Sequence, residues 1–525
     1  MIRVIEPQVD FLSFGPTVKL VDEEKNETII SPDDLVYGAA GVTFKGMKFI
    51  DDVIELKKEG IDFKEKRDKA IIKSVGAGHA SMSTSEGFWT ILQGDCSKLV
   101  DSIFTGATYI SALMPSGRRV PISEEEIVIP KGIADKGGKA LDLFLDTSRK
   151  NIQAYEALQA NGVPKQEASK IVQYGHSGGG FLYIPLETLV YFSKLAQGNP
   201  NDMPLEGREI IAQLEKIVHQ NGMGVVYESR KNAPRASNVN PNIFHHRKTW
   251  AQELMEEGDN SYNEPEIISE TDSMPFAREA RIKHYLKNRK RLFENVGDNW
   301  KESLRELEDI VADFNDSVNV QTIVNTPWRV WGEVKRHRTL PQNSESIYNA
   351  MERIIRGRHY HKALPNLISV PQSVSSDSTN NGLWAERFLH SLFTYERLVD
   401  AGIKESDAIG IIPRGIKFGV IKNFNLYNLT TGYASLRQCV GTVEPEMRAI
   451  TGKEMELVRE SGTIGGDVGR LIAPKCHYGG FCPESDYKKC CGLVRSVVPN
   501  YDEEMHKAIW NQREGEIRAE IQKYE

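Results

Sequence analysis

Residues 318–346 read VNVQTIVNTPWRVWGEVKRHRTLPQNSES. The alternation of the first half and its β-branched and aromatic content suit a strand running into a helix. Directly after the apolar VWGEV segment come Arg336, His337 and Arg338, and seven residues further on stands Ser346. Two guanidiniums around an imidazole are a costly arrangement unless an anion or a π-system accepts them. The cluster is expected at the edge of a core, where Ser346 and the loop N–H groups complete an anion site. A surface basic turn fits the same spacing equally well.

The chain has 525 residues, which at roughly 150 per domain predicts two to four domains. Hydrophobic residues make up 40% and charged residues 26%, which is globular composition. The net charge of −7 argues against wrapping nucleic acid through the overall field, but leaves room for local basic sites. No apolar run reaches the length of a membrane span. The opening MIRVIEPQVDFLSFG carries early charges and lacks the succession of a signal peptide, so a cytoplasmic protein is expected.

Along the chain, residues 64–115 and 138–225 show helical spacing, the latter as 139–162, 164–175 and 204–222. The charged 226–310 stretch predicts long helices. Its basic KHYLKNRKR (283–291) reads as a solvated helix face in preference to a nucleic-acid patch. SVPQSVSSDSTNNG (369–382) reads as a polar surface loop, and helical patterns resume at 384–402 and 425–460. HSGGG (176–180) lacks the Lys-Ser/Thr of a phosphate loop and reads as a flexible turn. His245-His246 reads as a surface pair.

The Arg-His-Arg triplet with Ser346 after seven residues resembles the signature of the flavin-dependent thymidylate synthase family. NLYNLTTGYASLRQCVGTVEPEMRAI (425–450) is similar to that family's late helix. Arg437 falls on the arginine that contacts the uracil ring, and Glu446 and Arg448 on its acidic-Ile-Arg element, one residue late. The pattern recurs, damaged, in the first half. Gly78-His79 resembles the family's Gly-His motif, and Ser116-Gly117-Arg118 its phosphate element. Lys170-Ile171-Val172 resembles its Arg-Ile-Val element, while Gly106-Ala107-Thr108 stands where the triplet belongs. The losses are reciprocal, since the second half has Tyr348 and Gly410 where the family carries phosphate-side arginines. An internal duplication is therefore expected: a first copy at 1–235, a second at 236–470, and an extension at 471–525. The fold class expected is α+β, with antiparallel sheet and helices in each copy.

The resemblance implies reductive methylation of dUMP to dTMP with FAD, NADPH and methylenetetrahydrofolate, and no covalent cysteine nucleophile. It implies Arg437 as the cation that polarises the pyrimidine, and Arg336, His337, Arg338 and His79 as flavin-binding residues. Ser346, Ser116, Gly117, Arg118 and Lys170 would grip the dUMP phosphate. His79 taken singly reads as a helix-capping or core histidine. A homodimer of fused chains would rebuild the family's four-lobed assembly. C5 modification of another pyrimidine nucleotide and a non-catalytic flavin- or nucleotide-binding regulator stand as alternatives.

Six cysteines sit at 96, 439, 476, 482, 490 and 491. Cys476, Cys482, Cys490 and Cys491, spaced by Gly and Pro, are candidate ligands for Zn²⁺ or an iron–sulfur cluster, with free thiols as the competing reading. Cys96 and Cys439 read as small buried hydrophobes.

Overall fold

Residues 3–21, 27–116, 120–234, 242–257, 263–293, 299–358 and 364–525 are described by a computed structural model. The strands that matter here are β1 (Pro7–Gly15), β2 (Gly87–Gly94), β3 (Ser111–Leu113), β4 (Gly180–Pro185), β5 (Glu266–Asp272), β6 (Val318–Pro327), β7 (Gln342–Ser344) and β8 (Lys417–Phe424). Among the helices are α1 (Leu99–Phe104), α2 (Gly138–Ala160), α3 (Leu186–Gln197), α4 (Leu205–Gln220), α5 (Pro275–Leu292) and α6 (Asn299–Phe314). They continue with α7 (Trp328–Val334), α8 (Ile347–Gly357), α9 (Ser378–Asp400), α10 (Tyr433–Arg437), α11 (Pro445–Glu460) and α12 (Glu503–Gln522). The class is α+β with antiparallel sheets, as the sequence predicts.

The chain divides into two units. The first is Met1–Lys248, Pro327–Arg338 and Glu345–Phe418; the second is Thr249–Thr326, Thr339–Ser344 and Gly419–Glu525.

In the first unit the sheet runs β1-β2-β4-β3. β1 pairs with β2 from Pro7↔Gly94 to Gly15↔Gly87 and is interrupted by a bulge between Phe11 and Ser13. Gln213 of α4 ties down this edge strand, accepting from the Val9 N–H at 3.0 Å and donating to the Pro7 carbonyl at 2.8 Å. GFWTILQG is strand β2, not the helix its spacing predicts. Its Phe88, Thr90 and Leu92 are buried and its neighbours pair across to β1 and β4, so sheet context overrides an ambiguous local pattern. Of the helix expected at 164–175, one α-turn (Lys165–Ala168) and a 3₁₀ turn form.

The same unit holds a reciprocal pairing. α2 and α9 have 23 residues each and begin at 138 and 378. The short helices that follow begin at 165 and 405, then 3₁₀ turns at 169 and 409, a constant spacing of 240 residues. The loops after them bond to each other symmetrically. Tyr174 N–H donates to Ile412 O (2.8 Å) as Arg414 N–H donates to Val172 O (3.1 Å). Gly175 N–H donates to Gly410 O (2.8 Å) as Gly415 N–H donates to Lys170 O (2.9 Å). A Cβ on Gly175 would stand 2.6 Å from the Gly410 oxygen, so the approach requires glycine. Between α2 and α9, Asn151 Nδ2 donates to Ser391 Oγ at 3.0 Å, again 240 residues apart. Residues 176–180 thus continue a packed loop, not a flexible turn, and His176 is buried. Residues 369–382 also differ from expectation. Ser369, Val374 and Asn380 are buried, and α9 begins at Ser378, capped by Asp377.

The second unit is built on a sheet ordered β5-β6-β8-β7, the same relative order as in the first. β5 pairs with β6 antiparallel with a bulge between Ile267 and Ser269, likewise on the edge strand. Ala251 and Met255 pack on Ile323 and Ile421. Arg278 is fully buried and clamped by Asp272 (2.6 Å) and Asp467 (3.0 Å). β6 runs directly into α7, as the 318–336 pattern predicts.

Candidate active site

The strongest electrostatic feature of the first unit is a knot around Asp101. α1 carries Asp101 with Lys98 one turn before it, and Lys335 and Arg336 follow the end of α7. Lys98 Nζ stands 3.4 Å and Lys335 Nζ 3.6 Å from the carboxylate, and Arg336 Nη2 donates to both of its oxygens at 3.2 Å. Lys335 Nζ also donates to the Asp101 carbonyl. Burial opposes ionisation of Asp101, but Lys335, Lys98 and Arg336 outweigh it and hold the carboxyl far below the usual carboxylate range. Burial, together with Arg336 and Lys98, pushes Lys335 down to about 7 against the pull of Asp101. One carboxylate facing three cations leaves a positive excess, the condition for binding an anion.

The knot joins segments that are remote in sequence. Lys98 Nζ also donates to Pro115 O at 2.6 Å, immediately before Ser116. Arg338 Nε donates to Ala107 O at 2.9 Å, inside the Gly106-Ala107-Thr108 segment. Trp328 Nε1 donates to Ser102 Oγ (3.0 Å) and stacks on Tyr174 at 4.2 Å, which fixes α7 on α1. Arg336 keeps 42% of its side chain exposed, and His337 is half-buried.

Further cationic groups lie in the same unit. Arg414 is buried and donates twice to Ser169 O, at 3.0 and 2.7 Å; burial and then Arg329 bring it down to about 9. Both ring nitrogens of His176 lack a hydrogen-bond partner among the described residues. Burial, then Arg414 and Lys98, push this histidine well below its ordinary value. Lys170 is buried, with its carbonyl in the reciprocal loop pairing.

The other expected residues fall as follows. Ser346 is buried and caps α8. Its hydroxyl accepts from the Tyr348 N–H at 3.2 Å and donates to the His245 carbonyl. Tyr348 is buried and donates to Asp202 O. His245 is buried, not at the surface, and burial pushes it down to about 4. His246 stacks on Tyr348 at 4.5 Å and bonds Asp202 (2.6 Å) and Glu405 (2.9 Å). His79 is exposed in the turn between helices Lys64–Val75 and Ser81–Ser85, so it is neither a core nor a capping histidine. Ser116 is half-buried; Gly117 and Arg118 lie outside the described residues. Sequence reasoning missed Lys98, Asp101 and Arg414. Lys335 was missed as well, though its place beside the triplet could have signalled it, whereas Lys98 and Asp101 carry no local mark of a partner more than 200 residues away.

Arg437 belongs to the second unit, half-buried at the end of α10. α10 is anchored by a buried network. Lys422 of β8 pairs with Glu454 of α11 at 2.7 Å, and Thr322 of β6 donates to Glu454 at 2.8 Å. Lys422 also reaches the Tyr433 hydroxyl (3.5 Å), which bonds Thr451 at 3.1 Å. Cys476 and Cys482 are buried, Cys490 is half-buried and Cys491 exposed, all as free thiols. Among the described residues, no three His, Cys, Asp or Glu side chains stand at metal-ligand separations. Cys96 is buried, as expected, while Cys439 is half-buried. No helix among the described residues is long and apolar enough to cross a membrane.

Comparison with known proteins agrees with the triplet. The family model of thymidylate synthase complementing protein matches residues 277–461. A flavin-dependent thymidylate synthase of Pyrococcus furiosus is 25% identical over 118 residues, which span 22% of this chain and 48% of that relative. Two crystal structures of the UMP/dUMP methylase PolB from Streptomyces cacaoi, bound with 5-Br dUMP and with 5-Br UMP, are 14% identical. Their TM-scores are 0.34 and 0.30; each comparison covers 45% of this chain and 100% or 99% of the other. Residues 277–461 are thus similar to the flavin-dependent thymidylate synthase family, and the chain spans about half the length of the curated relative it matches.

Proposed function

We propose that the chain is a flavin-dependent enzyme that reductively methylates C5 of dUMP to give dTMP. In this reading it consists of two degenerate copies of one fold, 1–235 and 236–470, with a cysteine-bearing extension at 471–525. The matching strand orders and the 240-residue spacing support the duplication. The observation that carries the functional reading is the Asp101 knot. Through it Lys98, which binds the Pro115 carbonyl before Ser116, and Arg336 of the triplet meet at one carboxylate, which supports a site drawing on both copies.

FAD, with NADPH as reductant and methylenetetrahydrofolate as one-carbon donor, would supply the hydride chemistry. Arg336, His337 and Arg338, with His79, are the residues proposed to hold the flavin, and the positive excess around Asp101 suits its phosphates. Ser116, Gly117, Arg118 and Lys170 are proposed to grip the nucleotide phosphate. Ser346 contributes by setting the start of α8, since its hydroxyl is already engaged. C5 of uracil is a poor nucleophile. Arg437 is proposed to polarise the pyrimidine from its N1/O2 side by stabilising negative charge held in the ring. The enzyme is proposed to act as a homodimer in the cytoplasm.

The test is a visible flavin spectrum in protein purified without oxygen, followed by tritium release from C5-labelled dUMP with NADPH and methylenetetrahydrofolate. Both are expected. Absence of bound flavin overturns the reading. Flavin without release from dUMP, but with release from another pyrimidine nucleotide, selects the second reading. Tyr348 favours that second reading: it stands where the family has a phosphate arginine and is buried, with its hydroxyl turned to Asp202 O. Flavin with no turnover of any pyrimidine leaves a regulator.

A further inference from the structure

Five of the six cysteines gather in the second unit, and four of them lie in a stretch with little regular structure. Between residues 471 and 502 the described elements are short turns, Cys476–Gly479, Tyr487–Lys489 and Leu493–Ser496, before α12 begins. Cys476 and Cys482 are buried in one apolar cluster with Leu292, Phe293, Phe481 and Val494, and Cys490 packs against it. Cys490 lies close enough to Cys482 to help raise its thiol. Tyr501 accepts from the Cys482 N–H at 3.1 Å, and Trp510 of α12 donates to the Cys482 carbonyl at 3.3 Å. Left-handed Gly480 (φ +67°) and Gly492 (φ +84°) make the tight reversals beside Cys476 and Cys491.

The fifth thiol comes from outside the extension. Cys439 follows α10 by two residues. A Cβ on Gly441 would stand 2.5 Å from the Lys489 carbonyl, so this segment lies directly against the chain entering Cys490 and Cys491. The Lys475 N–H donates to Ser435 O of α10 at 3.2 Å, a second tie between the two segments. Charge–charge proximity reports the same gathering: after burial, Cys491, Cys482 and Cys439 are what raise the Cys476 thiol, to about 12. Cys482 is likewise pushed up to about 12, by burial first and by Cys490 and Cys439 among its neighbours.

We propose that Cys439 joins Cys476, Cys482 and the Cys490-Cys491 pair in a thiolate-ligated metal centre that staples the C-terminal extension to the end of α10. The ligand class is a thiophilic metal, a zinc ion or an iron–sulfur cluster, held by four of these five sulfurs, one of them from the Cys490-Cys491 pair. Thiols buried together in an apolar pocket resist ionisation because each thiolate would repel the next. A cation reverses that balance, so binding releases the thiol protons and its free energy becomes folding free energy for a segment short of regular structure. No three of these thiols stand at ligand separations among the described residues, so metal binding has to draw the sulfurs together. The metal centre stands independently of the proposed function.

The experiment is metal, acid-labile sulfide and thiol analysis of the full chain expressed with zinc and iron and purified without oxygen. One zinc per chain, or iron with matching sulfide, is expected, and the two results separate the sources. Cys439→Ser and Cys482→Ser should each lose the metal or hold it at least about tenfold more weakly. Should either variant fail to fold, a chelator on the wild-type protein reads the same site, releasing metal as the five thiols become reactive. Wild-type protein without metal, its five thiols reactive or paired as disulfides, overturns the centre. Wild-type metal affinity in Cys439→Ser overturns the part assigned to Cys439. Metal content does not depend on turnover, so loss of the centre and loss of the enzymatic reading are told apart.

Discussion

Replacing Asp101 with Asn tests the electrostatic account of the first unit. The substitution keeps shape and removes the one negative charge facing Lys98, Lys335 and Arg336. Lys98 and Lys335 are 7% and 0% exposed, so neither recovers hydration when its partner is lost. Arg336, at 42% exposure, does recover it. Removing one partner of a buried pair costs about 3–5 kcal/mol, whereas an exposed pair is worth at most about 1 kcal/mol. Asp101→Asn should therefore lose about 3–5 kcal/mol, with the low end favoured because Lys335, already near 7, can shed its proton. Arg336→Ala should lose about 1 kcal/mol or less. Urea unfolding followed by tryptophan fluorescence reads both, since Trp328 and Trp331 are buried in α7 directly before Lys335. The gap between wild type and Asp101→Asn should hold at neutral pH and close below the ordinary aspartate value of 3.8, as the depressed carboxyl finally takes a proton. Equal losses from the two variants, or a loss below about 1 kcal/mol in Asp101→Asn, would refute the argument that the buried cations depend on this carboxylate.

Lys335 binds its proton less tightly in the folded chain than in the unfolded one, so between about 7 and 10.5 its contribution to stability rises with pH. Lys335→Met should flatten that slope by up to about 1.4 kcal/mol per pH unit in denaturation midpoints measured across the window. Glu454→Gln strands the buried Lys422 and should cost about 3–5 kcal/mol in thermal or urea unfolding, while Glu456→Gln, on the exposed face of α11, should cost about 1 kcal/mol or less. Arg437→Ala should abolish tritium release while flavin absorbance persists; full activity would discard its role. Arg118→Ala should weaken nucleotide binding by about 1.5–3 kcal/mol, read by calorimetry, and an unchanged dissociation constant would remove the first copy from the site.

The sequence reading was strongest where the pattern was local. The strand-to-helix passage of 318–336 forms as β6 and α7, and the triplet follows at the end of the helix. It failed where pairing across the fold set the outcome. GFWTILQG has spacing compatible with a helix, yet β1 and β4 on either side make it a central strand. Residues 369–382 are polar, yet Val374 and the start of α9 bury part of them. Of the expected surface pair, His246 is exposed, whereas His245 is buried, and nothing nearby in sequence shows what packs over it.

What the chain of residues determined by itself is a set of local motifs resembling one family's signature: a strand feeding a helix, Arg336-His337-Arg338 with Ser346, and the Arg437 helix at its distance. Such motifs are short-range, and their chemistry is carried by residue type and spacing. The tertiary structure decided what those residues face. Lys98, Asp101 and Arg336 meet because α1 and α7 pack together, and the loops at 170–175 and 410–415 bond reciprocally because two elements 240 residues apart share one geometry. Buried charge is stable only where opposite charge from another segment compensates it, and that compensation is a property of packing, absent from any local stretch of sequence.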